Sequence, residues 1–496
     1  MLGEMLLYMV ISIVFLSFAS YFTSPLTSIY GSDSSFFQMV GQAMTKGFLP
    51  YRDFFDMKGP YFFLLQYLAQ VISYGRLGCF ILQAANMTVT LWFASRCIRL
   101  GLKKCSIFME LLLLAPSALV LAVTMDGGNL TEEFALPSLV IALYMGLRSL
   151  EGNKAPAGYA FIYGILFGFN AFSRITNAAF LCAVVFTVAV QILIAKRFKE
   201  LWTNAAAFIA GVIVAFLPPI LFYAGKGILS DMLQSVFAFG VSYATEGGIA
   251  GRFSLFSRIL GWELMLLSPA AVLAVFQQKS LSEWLLALSS FIFVSLIFLL
   301  GNAYVHYFVL VIPSMIYAAF LLTKYMPHTP AAARRACAAL LTLCLFAGGV
   351  YLQKFSFTRA KNRMVEFISQ QAAWGYSWQS VTGIAGERLG IAASIPEDEL
   401  DSVYVYGLPM DFFCQMDFFP CNKYCCWQDH YVELEPSIGQ ELRDYFAQTP
   451  PKWFLVRSSF TVDTLPEYFG DLTGIYEDYD VSGDFRLLRL KDNRAV

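Results

Sequence analysis

The segment TNAAAFIAGVIVAFLPPILFY, residues 203–223, contains no charged side chain. About 20 mostly apolar residues allow a helix to cross the hydrocarbon core of a bilayer, so this segment predicts a membrane span. Before and after it in the chain, ten further apolar runs lie near residues 5–21, 77–95, 106–124, 134–150, 156–173, 178–195, 259–276, 283–301, 304–323 and 336–352. The sequence therefore predicts a polytopic α-helical membrane protein with about eleven transmembrane helices.

The composition of the 496-residue chain supports this fold class. Hydrophobic residues make up 58% of it and charged residues 14%, whereas soluble globular proteins carry about 25% charged residues. This shortage excludes a soluble enzyme and a disordered chain, because the apolar surplus exceeds what one globular core can bury. The formal net charge of −1 provides no basic field for nucleic acid. We expect a lipid bilayer, and no nucleic acid, among the partners.

The distribution of Lys and Arg predicts the orientation of the spans. The apolar stretch 59–75 is short, opens on Gly-Pro and contains Gln66 and Gln70, so we expect a juxtamembrane or re-entrant helix there. The basic residues between spans then share one side, which the positive-inside rule makes cytoplasmic; they are Arg96, Arg99, Lys103, Lys104, Arg148, Lys154, Lys196, Arg197, Lys199, Lys279, Lys324, Arg334 and Arg335. The prediction is a multi-pass plasma-membrane protein with a cytoplasmic N-terminus.

The composition becomes polar after residue 353, which predicts two domains. Residues 1–353 form the membrane domain, with a first outer loop at 22–76, and residues 354–496 form a small extracytoplasmic α/β domain. In this domain a helical stretch at 362–389 precedes three strand-like runs, SVYVYG (402–407), KWFLV (452–456) and FRLLRL (485–490). An Asp-Tyr-Asp pattern at 478–480 is common by chance and is given no role.

Four cysteines of this C-terminal domain cluster in FCQMDFFPCNKYCCWQDH, residues 413–430, namely Cys414, Cys421, Cys425 and Cys426. Their spacing does not match zinc-binding frames. Because disulfides are permitted outside the cell, we expect one or two disulfides and no metal; buried free thiols are the alternative.

The first outer loop, YGSDSSFFQMVGQAMTKGFLPYRDFFDMKGP (residues 30–60), concentrates charged residues beside apolar runs: Asp33, Arg52, Asp53, Asp56 and Lys58. We expect Ser32 or Asp33 to cap a helix that starts near Ser34. Carboxylates beside lipid are costly unless they are solvated or paired, so this cluster predicts a functional site. The alternative is an ordinary loop with helix caps and a surface Arg–Asp pair.

Two further outer segments carry candidate residues. In MDGGNLTEEFALP (residues 125–137), the Gly-Gly bend is expected to turn Asp126, Asn129 and Glu132 toward the first loop; helix capping is the structural alternative. In NAFSRITN (170–177), Arg174 lies at an outer end, against the positive-inside tendency. A lipid phosphate would suit its guanidinium, and an ion pair with a loop carboxylate, or snorkelling, is the alternative.

The remaining candidates are Glu246 and His306. Glu246 lies in YATEGGIAGRF (243–253), a glycine-rich segment that is either a lid over a lipid site or a plain connector. His306 lies in GNAYVHYF (301–308), beside Tyr304 and Tyr307 at an outer end. A histidine in such a turn is more often an interfacial hydrogen-bonding group than a ligand.

Together these loops resemble the GT-C superfamily of membrane glycosyltransferases, in particular protein O-mannosyltransferase-like and lipid A aminoarabinose transferases (glycosyltransferase family 39-like). In GSDSS, Asp33 matches the Asp of the family's Asp-Glu pair, and Ser34 stands in place of Glu. FDMKGP resembles the family's acid-x-x-Pro element, with Asp56 as the acid and Lys58 as the lysine. PYRDFFDMKGP is also similar to a bacterial subgroup that reads PYRDFFDHKGP, here with Met57 in place of His.

The resemblance implies a GT-C-type membrane domain that uses polyprenyl-phosphate sugars and no cofactor or obligatory metal. We expect Asp33 to act as base in an inverting transfer. Lys58 and Arg174, with Arg52, would bind the donor phosphate. Asp56 and Asp53 would position the acceptor or orient these cations; Asn129, Glu132, Glu246 and His306 are assigned to the acceptor side. The acceptor is an unknown glycan, lipid or protein. A lipid or glycan flippase or transporter is the alternative; it would carry charged or broken helices near mid-membrane.

Overall fold

The computed structural model describes residues 2–27, 30–102, 105–245, 281–300, 304–325, 384, 388, 390–408 and 410–491. The first part contains nine helices: α1 (Leu2–Ala19), α2 (Ser32–Thr45), α3 (Pro60–Ile72), α4 (Arg76–Gly101), α5 (Ile107–Thr124), α6 (Thr131–Gly152), α7 (Ala157–Arg174), α8 (Ala179–Ile194) and α9 (Phe198–Gly225). Shorter elements follow at Leu229–Leu233, Gln234–Phe239 (a π-helix) and Gly240–Thr245, and then the helices Leu281–Leu300 and Ile312–Tyr325, the latter preceded by a 3₁₀ segment at Val305–Val311.

The described helices confirm a multi-pass membrane protein. Eight helical stretches are long and apolar enough to cross a membrane. One of them, Ala157–Ile194, has 38 residues and would span about 57 Å as a straight helix. It is instead a hairpin of α7 and α8, because Arg197, just after α8, donates to the carbonyl of Asn153, just before α7, at 2.9 Å. Nine of the eleven predicted spans therefore coincide with helices, and those at 259–276 and 336–352 lie outside the described residues.

Helix α3 has the length expected of a juxtamembrane helix. Its 13 residues cover about 20 Å, which is less than the ~30 Å of a hydrocarbon core. Proline at its first position suits a helix start, because the N–H that proline lacks has no partner in the first turn.

Helices α7 and α9 pack closely because small residues line their interface. A Cβ added to Gly164 would lie 2.1 Å from the carbonyl oxygen of Phe208, and one added to Gly211 would lie 2.1 Å from that of Phe161. Such close backbone approach between membrane helices requires small side chains. The rest of α9 faces outward. Only 17% of the residues in its most apolar stretch are buried, as expected for a helix in contact with lipid.

The C-terminal part is a small α/β unit, as predicted. Its strands are β1 (Val403–Tyr406), β2 (Trp453–Arg457), β3 (Tyr476–Ser482) and β4 (Phe485–Leu490), in the order β1-β2-β4-β3. Strand β1 pairs with β2 in parallel, and the β2–β4 and β4–β3 pairs are antiparallel. Helices lie at Asp411–Met416, Gln428–Leu434 and Pro436–Gln448, and the last of these buries Ile438, Leu442 and Phe446.

Three of the four strands coincide with predicted runs. Strand β3 was not predicted, because its sequence YEDYDVS is polar and mostly exposed. The Asp-Tyr-Asp pattern lies on this strand, where Asp478 accepts from Arg486 of β4 at 2.7 Å. The predicted helical stretch 362–389 and the domain boundary near residue 353 fall almost entirely outside the described residues.

The expected disulfides do not form in this structure. Cys414, Cys421, Cys425 and Cys426 are all free thiols. Cys414 instead donates to the backbone carbonyl of Ser35 at 3.0 Å. The alternative interpretation, buried free thiols, therefore describes Cys414, Cys425 and Cys426, whereas Cys421 is a partly buried free thiol.

The C-terminal unit packs directly on the first outer loop. The ring of Trp427 lies 5.3 Å from that of Phe36 in α2. The backbone N–H of Phe55 donates to the carbonyl of Lys423 at 2.9 Å, and the ring of Phe55 contacts Tyr431. This packing brings the Cys-rich segment and the charged part of the first loop to the same place.

Candidate active site

The end of the first outer loop is held by hydrogen bonds to its own backbone. The carboxylate of Asp53 accepts from the backbone N–H of Leu49 at 2.7 Å, and the hydroxyl of Tyr51 donates to the carbonyl of Lys58 at 2.8 Å. The carboxylate of Asp56 accepts from the backbone N–H of Lys58 at 2.6 Å. This compact turn fixes the side chains of Asp56 and Lys58.

Gly59 joins this turn to α7. Its N–H donates to the carbonyl of Ser173 at 2.8 Å, and an added Cβ would lie 2.0 Å from the carbonyl oxygen of Phe172. Only glycine allows the two backbones to approach so closely. Gly59 follows Lys58 in the chain, and Ser173 precedes Arg174. The contact between Gly59 and Ser173 therefore brings Lys58 and Arg174 close together.

The second outer segment bends as predicted. Asp126, Gly127, Gly128 and Asn129 have φ values of 49°, 92°, 88° and 64°, a left-handed conformation that glycine adopts without steric cost. Helix α6 begins directly afterwards, at Thr131. Asp126 and Glu132 thereby face the first loop.

Arg174 ends α7 and is anchored on two sides. Its guanidinium donates to Glu132 and to the hydroxyl of Tyr307, and it lies 4.0 Å above the ring of Tyr307. The ion pair with a loop carboxylate, which was the alternative interpretation of Arg174, is thus present. A guanidinium offers five N–H groups, so these two bonds do not exhaust its capacity.

One cavity of about 420 Å³ collects these residues. Seven of the sequence candidates line it: Asp33, Asp56, Lys58, Asp126, Glu132, Arg174 and His306. Its other lining residues are Phe22, Ser32, Ser34, Phe37, Met57, Leu130, Thr131, Tyr243, Tyr304, Tyr307, Trp427, His430 and Tyr431. The cavity therefore lies where the first loop, the start of α6, the end of α7 and the C-terminal unit meet.

The charges in the cavity are partly paired. The ammonium group of Lys58 lies 3.7 Å from Asp56, whose side chain is 2% exposed. Burial raises the pKa of Asp56, and the nearby Lys58 opposes that shift. Arg174 pairs with Glu132. Asp33 and Asp126 line the same cavity and have no ion pair with any residue that the structure describes.

Four candidates lie elsewhere. Arg52 is half exposed, and its guanidinium pairs with Asp53 at 2.7 Å. The carboxylate of Asp53 also accepts from the backbone N–H of Leu49. Neither Arg52 nor Asp53 lines the cavity. Asn129 is buried and bonds to Gln66 at 2.9 Å, which is a structural contact. Glu246 lies outside the described residues. The expected cap of α2 is also wrong: Gly31 occupies the N-cap, and the helix begins at Ser32, so Asp33 lies in its first turn.

Sequence reasoning missed the contribution of the C-terminal unit. Trp427, His430 and Tyr431 line the cavity, and all three belong to the segment that was interpreted only through its cysteines. Trp427 has φ 49°, a conformation that is unusual for a bulky residue. The available signal was the presence of Trp427 and His430, three residues apart, in the Cys-rich segment. Only the packing of this segment on α2 places them at the cavity.

The fold and the cavity define an integral-membrane protein with a charged cavity between its loops and its C-terminal unit. Similar solved structures are those of ArnT from Cupriavidus metallidurans: bound to undecaprenyl phosphate, with TM-score 0.56, 12% identity and coverage of 98% of this chain and 98% of that chain, and in the apo state, with TM-score 0.55, 12% identity and coverage of 98% and 97%. No protein-family model matches the sequence, and no curated protein matches it significantly. The likeness, which covers 98% of the chain, confirms the predicted fold class.

Proposed function

We propose that this protein is a membrane glycosyltransferase that moves a sugar from a polyprenyl-phosphate donor to an extracytoplasmic acceptor. The observation that carries the proposal is the shared cavity, in which Asp33 accompanies the cations Lys58 and Arg174. The similarity in fold to ArnT bound to undecaprenyl phosphate supports a polyprenyl phosphate as the lipid part of the donor. The positive-inside rule supports an outer position for the cavity.

The proposed chemistry is a single inverting displacement. The acceptor hydroxyl oxygen attacks the anomeric carbon and forms the new glycosidic bond, while the bond between that carbon and the phosphate oxygen breaks. Asp33 accepts the hydroxyl proton. The electron pair of the broken bond stays on the phosphate, so no acid is needed for the leaving group.

The cations would stabilise the charge that develops on the departing phosphate. Arg174 is held in place by Glu132 and Tyr307 before any substrate arrives, and such preorganised groups stabilise a transition state without reorganisation. The side chain of Lys58 is 15% exposed and forms an ion pair with Asp56. Neutralisation of Asp56 and Glu132 by these pairs reduces the repulsion that a phosphate would otherwise meet.

The aromatic residues of the cavity suit a sugar ring. Tyr243, Tyr304, Trp427 and Tyr431 line it, and the C–H groups and hydroxyls of a pyranose can pack against aromatic and hydroxyl-bearing side chains. We assign these residues to the transferred sugar or the acceptor, and Trp427 and Tyr431 give the C-terminal unit a part in substrate recognition.

Equilibrium binding of undecaprenyl phosphate to the purified full chain tests the donor class without knowledge of the sugar. We expect the Lys58→Gln and Arg174→Gln variants to bind it more weakly than the wild type. Arg52→Gln is the matched control, since this arginine belongs to the same loop but lies outside the cavity. No binding by the wild type would remove polyprenyl phosphate from the proposal, and equal affinity in all four proteins would remove Lys58 and Arg174 as its phosphate-binding groups.

Transfer itself is tested with a radiolabelled undecaprenyl-phosphate hexose, by measuring the released lipid phosphate. Asp33→Asn should lose turnover and keep donor affinity, because only the proton acceptor is removed. Asp126→Asn is the informative comparison, since Asp126 is the other cavity carboxylate without an ion pair among the described residues. Loss of turnover in Asp126→Asn but not in Asp33→Asn would transfer the role of base to Asp126.

A further inference from the structure

A second cavity lies between α8 and the α7–α9 pair, near the end of the hairpin that is remote from Arg174. It has a volume of about 290 Å³. Its walls are almost wholly apolar and include Ala160, Val188, Ala189 and Phe208. The active-site proposal uses none of these residues.

Two buried hydroxyl groups interrupt these apolar walls. Ser149 is 1% exposed and Tyr163 is 3% exposed, and both line the cavity. The two hydroxyls lie close enough to interact with each other, but neither makes a hydrogen bond of good geometry with a described residue. Since a buried hydroxyl without a partner is costly, the pair indicates an occupant that is mostly apolar but carries a hydrogen-bonding group.

The mouth of this cavity is basic. A wider opening of about 590 Å³ adjoins it, and both are lined by Ala155 and Asn204. Lys196, Arg197 and Lys199 line the opening. Arg197 pairs with Glu200 at 3.0 Å, whereas neither lysine has an ion pair among the described residues. The two lysines therefore leave the mouth positively charged.

The backbone at Lys196 does not explain the presence of a lysine. Helix α8 ends in a Schellman motif, in which Arg197 N–H donates to Ile192 and Lys196 N–H donates to Leu193. The residue at the position of Lys196 is usually glycine, because it must be left-handed, and here its φ is 55°. A lysine at this left-handed position is less stable than a glycine would be. Its presence therefore suggests that the positive charge of Lys196 has a function.

We infer that the apolar cavity and its basic mouth form a binding site for an anionic glycerophospholipid of the cytoplasmic leaflet. One acyl chain would occupy the apolar cavity, an ester carbonyl would accept from Ser149 or Tyr163, and the headgroup phosphate would meet Lys196 and Lys199. The predicted orientation places these lysines at the cytoplasmic surface, where anionic lipids concentrate. The site is independent of the proposed glycosyl transfer.

Native mass spectrometry tests this inference. The full chain is reconstituted into nanodiscs of phosphatidylcholine with phosphatidylglycerol as the minor lipid, extracted into mild detergent, and examined for retained phosphatidylglycerol. We expect the wild type to retain this lipid selectively. Lys196→Gly should lose most of it, although glycine relieves the left-handed backbone and should leave the melting temperature unchanged or higher. Ala189→Phe, which fills the cavity, should lose it as well.

Lys154→Gly is the matched control, because Lys154 is an exposed lysine at the same end of the helices and lines neither opening. It should retain the lipid as the wild type does. The inference is overturned if the wild type does not prefer phosphatidylglycerol, if Lys154→Gly loses as much as Lys196→Gly, or if Ala189→Phe retains the lipid while remaining folded.

Discussion

Substitution of Gly59 by alanine should separate the two halves of the proposed phosphate site. The added Cβ would lie 2.0 Å from the carbonyl oxygen and 2.3 Å from the carbonyl carbon of Phe172. Both are backbone atoms that no side-chain rotation can move away. The φ of Gly59 is −79°, so the backbone itself tolerates alanine and the effect is purely steric.

The size of the displacement follows from these distances. Real Cβ atoms essentially never approach another heavy atom closer than 3.0 Å, so the loop must move by about 1 Å from α7. Overpacking of this kind costs ~1–3 kcal/mol of stability. A misplacement of ~1 Å in a catalytic group can cost about 100-fold in rate, and this movement carries Lys58 away from Arg174.

The assay is release of undecaprenyl phosphate from the labelled donor, with the melting temperature measured on the same preparations. We expect Gly59→Ala to lose about 100-fold in turnover. Gly211→Ala is the first control: its Cβ would lie 2.1 Å from the carbonyl oxygen of Phe161, so it should destabilise the fold similarly but leave the folded fraction active. Gly158→Ala is the second, since its Cβ would meet nothing within 4 Å.

Two results would refute this reasoning. If Gly59→Ala keeps both its stability and its turnover, the loop does not rest against α7. If Gly211→Ala loses as much turnover per folded molecule as Gly59→Ala, the effect is general destabilisation and not separation of the cations.

Three further predictions concern single side chains of the cavity. Arg174→Lys should weaken undecaprenyl phosphate binding by about tenfold, or ~1.4 kcal/mol, because an ammonium group cannot reproduce the planar contacts to Glu132 and Tyr307; unchanged affinity in a titration would contradict this. Asp33→Asn should lower turnover by at least ~100-fold at unchanged donor affinity, and a variant with substantial turnover would exclude Asp33 as base. Burial raises the pKa of Asp56, so the ionised form that supports Lys58 should be lost on acidification at a pH above the ordinary value of about 4. The turnover rate of the wild type should therefore fall at acidic pH, and that of Asp56→Asn should not. Identical pH–rate profiles for the two proteins would contradict this role of Asp56.

The same raised pKa has a consequence for stability. Because the folded pKa of Asp56 lies above its unfolded value, this group contributes its full stabilisation below the unfolded pKa and loses it as the pH rises through the folded pKa. Asp56→Asn should therefore remove a decline in melting temperature over that range. An unchanged pH dependence of the melting temperature would show that Asp56 is not the group responsible.

The sequence by itself determined the features that depend on local composition. A charge-free stretch such as 203–223 cannot be placed in water, and β1, β2 and β4 are short apolar runs with strong strand propensity. The start of α6 at Thr131 was also predictable, because Glu132 and Glu133 favour the positive end of a helix. These features need only the neighbouring residues and a bilayer.

Only the tertiary structure decided which charged residues share a cavity. In sequence, Arg52 and Lys58 are equivalent loop cations, but Arg52 turns outward to Asp53 whereas Gly59 brings Lys58 against α7. Trp427 joins the site through the docking of a unit almost 400 residues away from Asp33 along the chain. Contacts between distant segments depend on how whole surfaces fit together, and spacing along the chain carries no record of that fit.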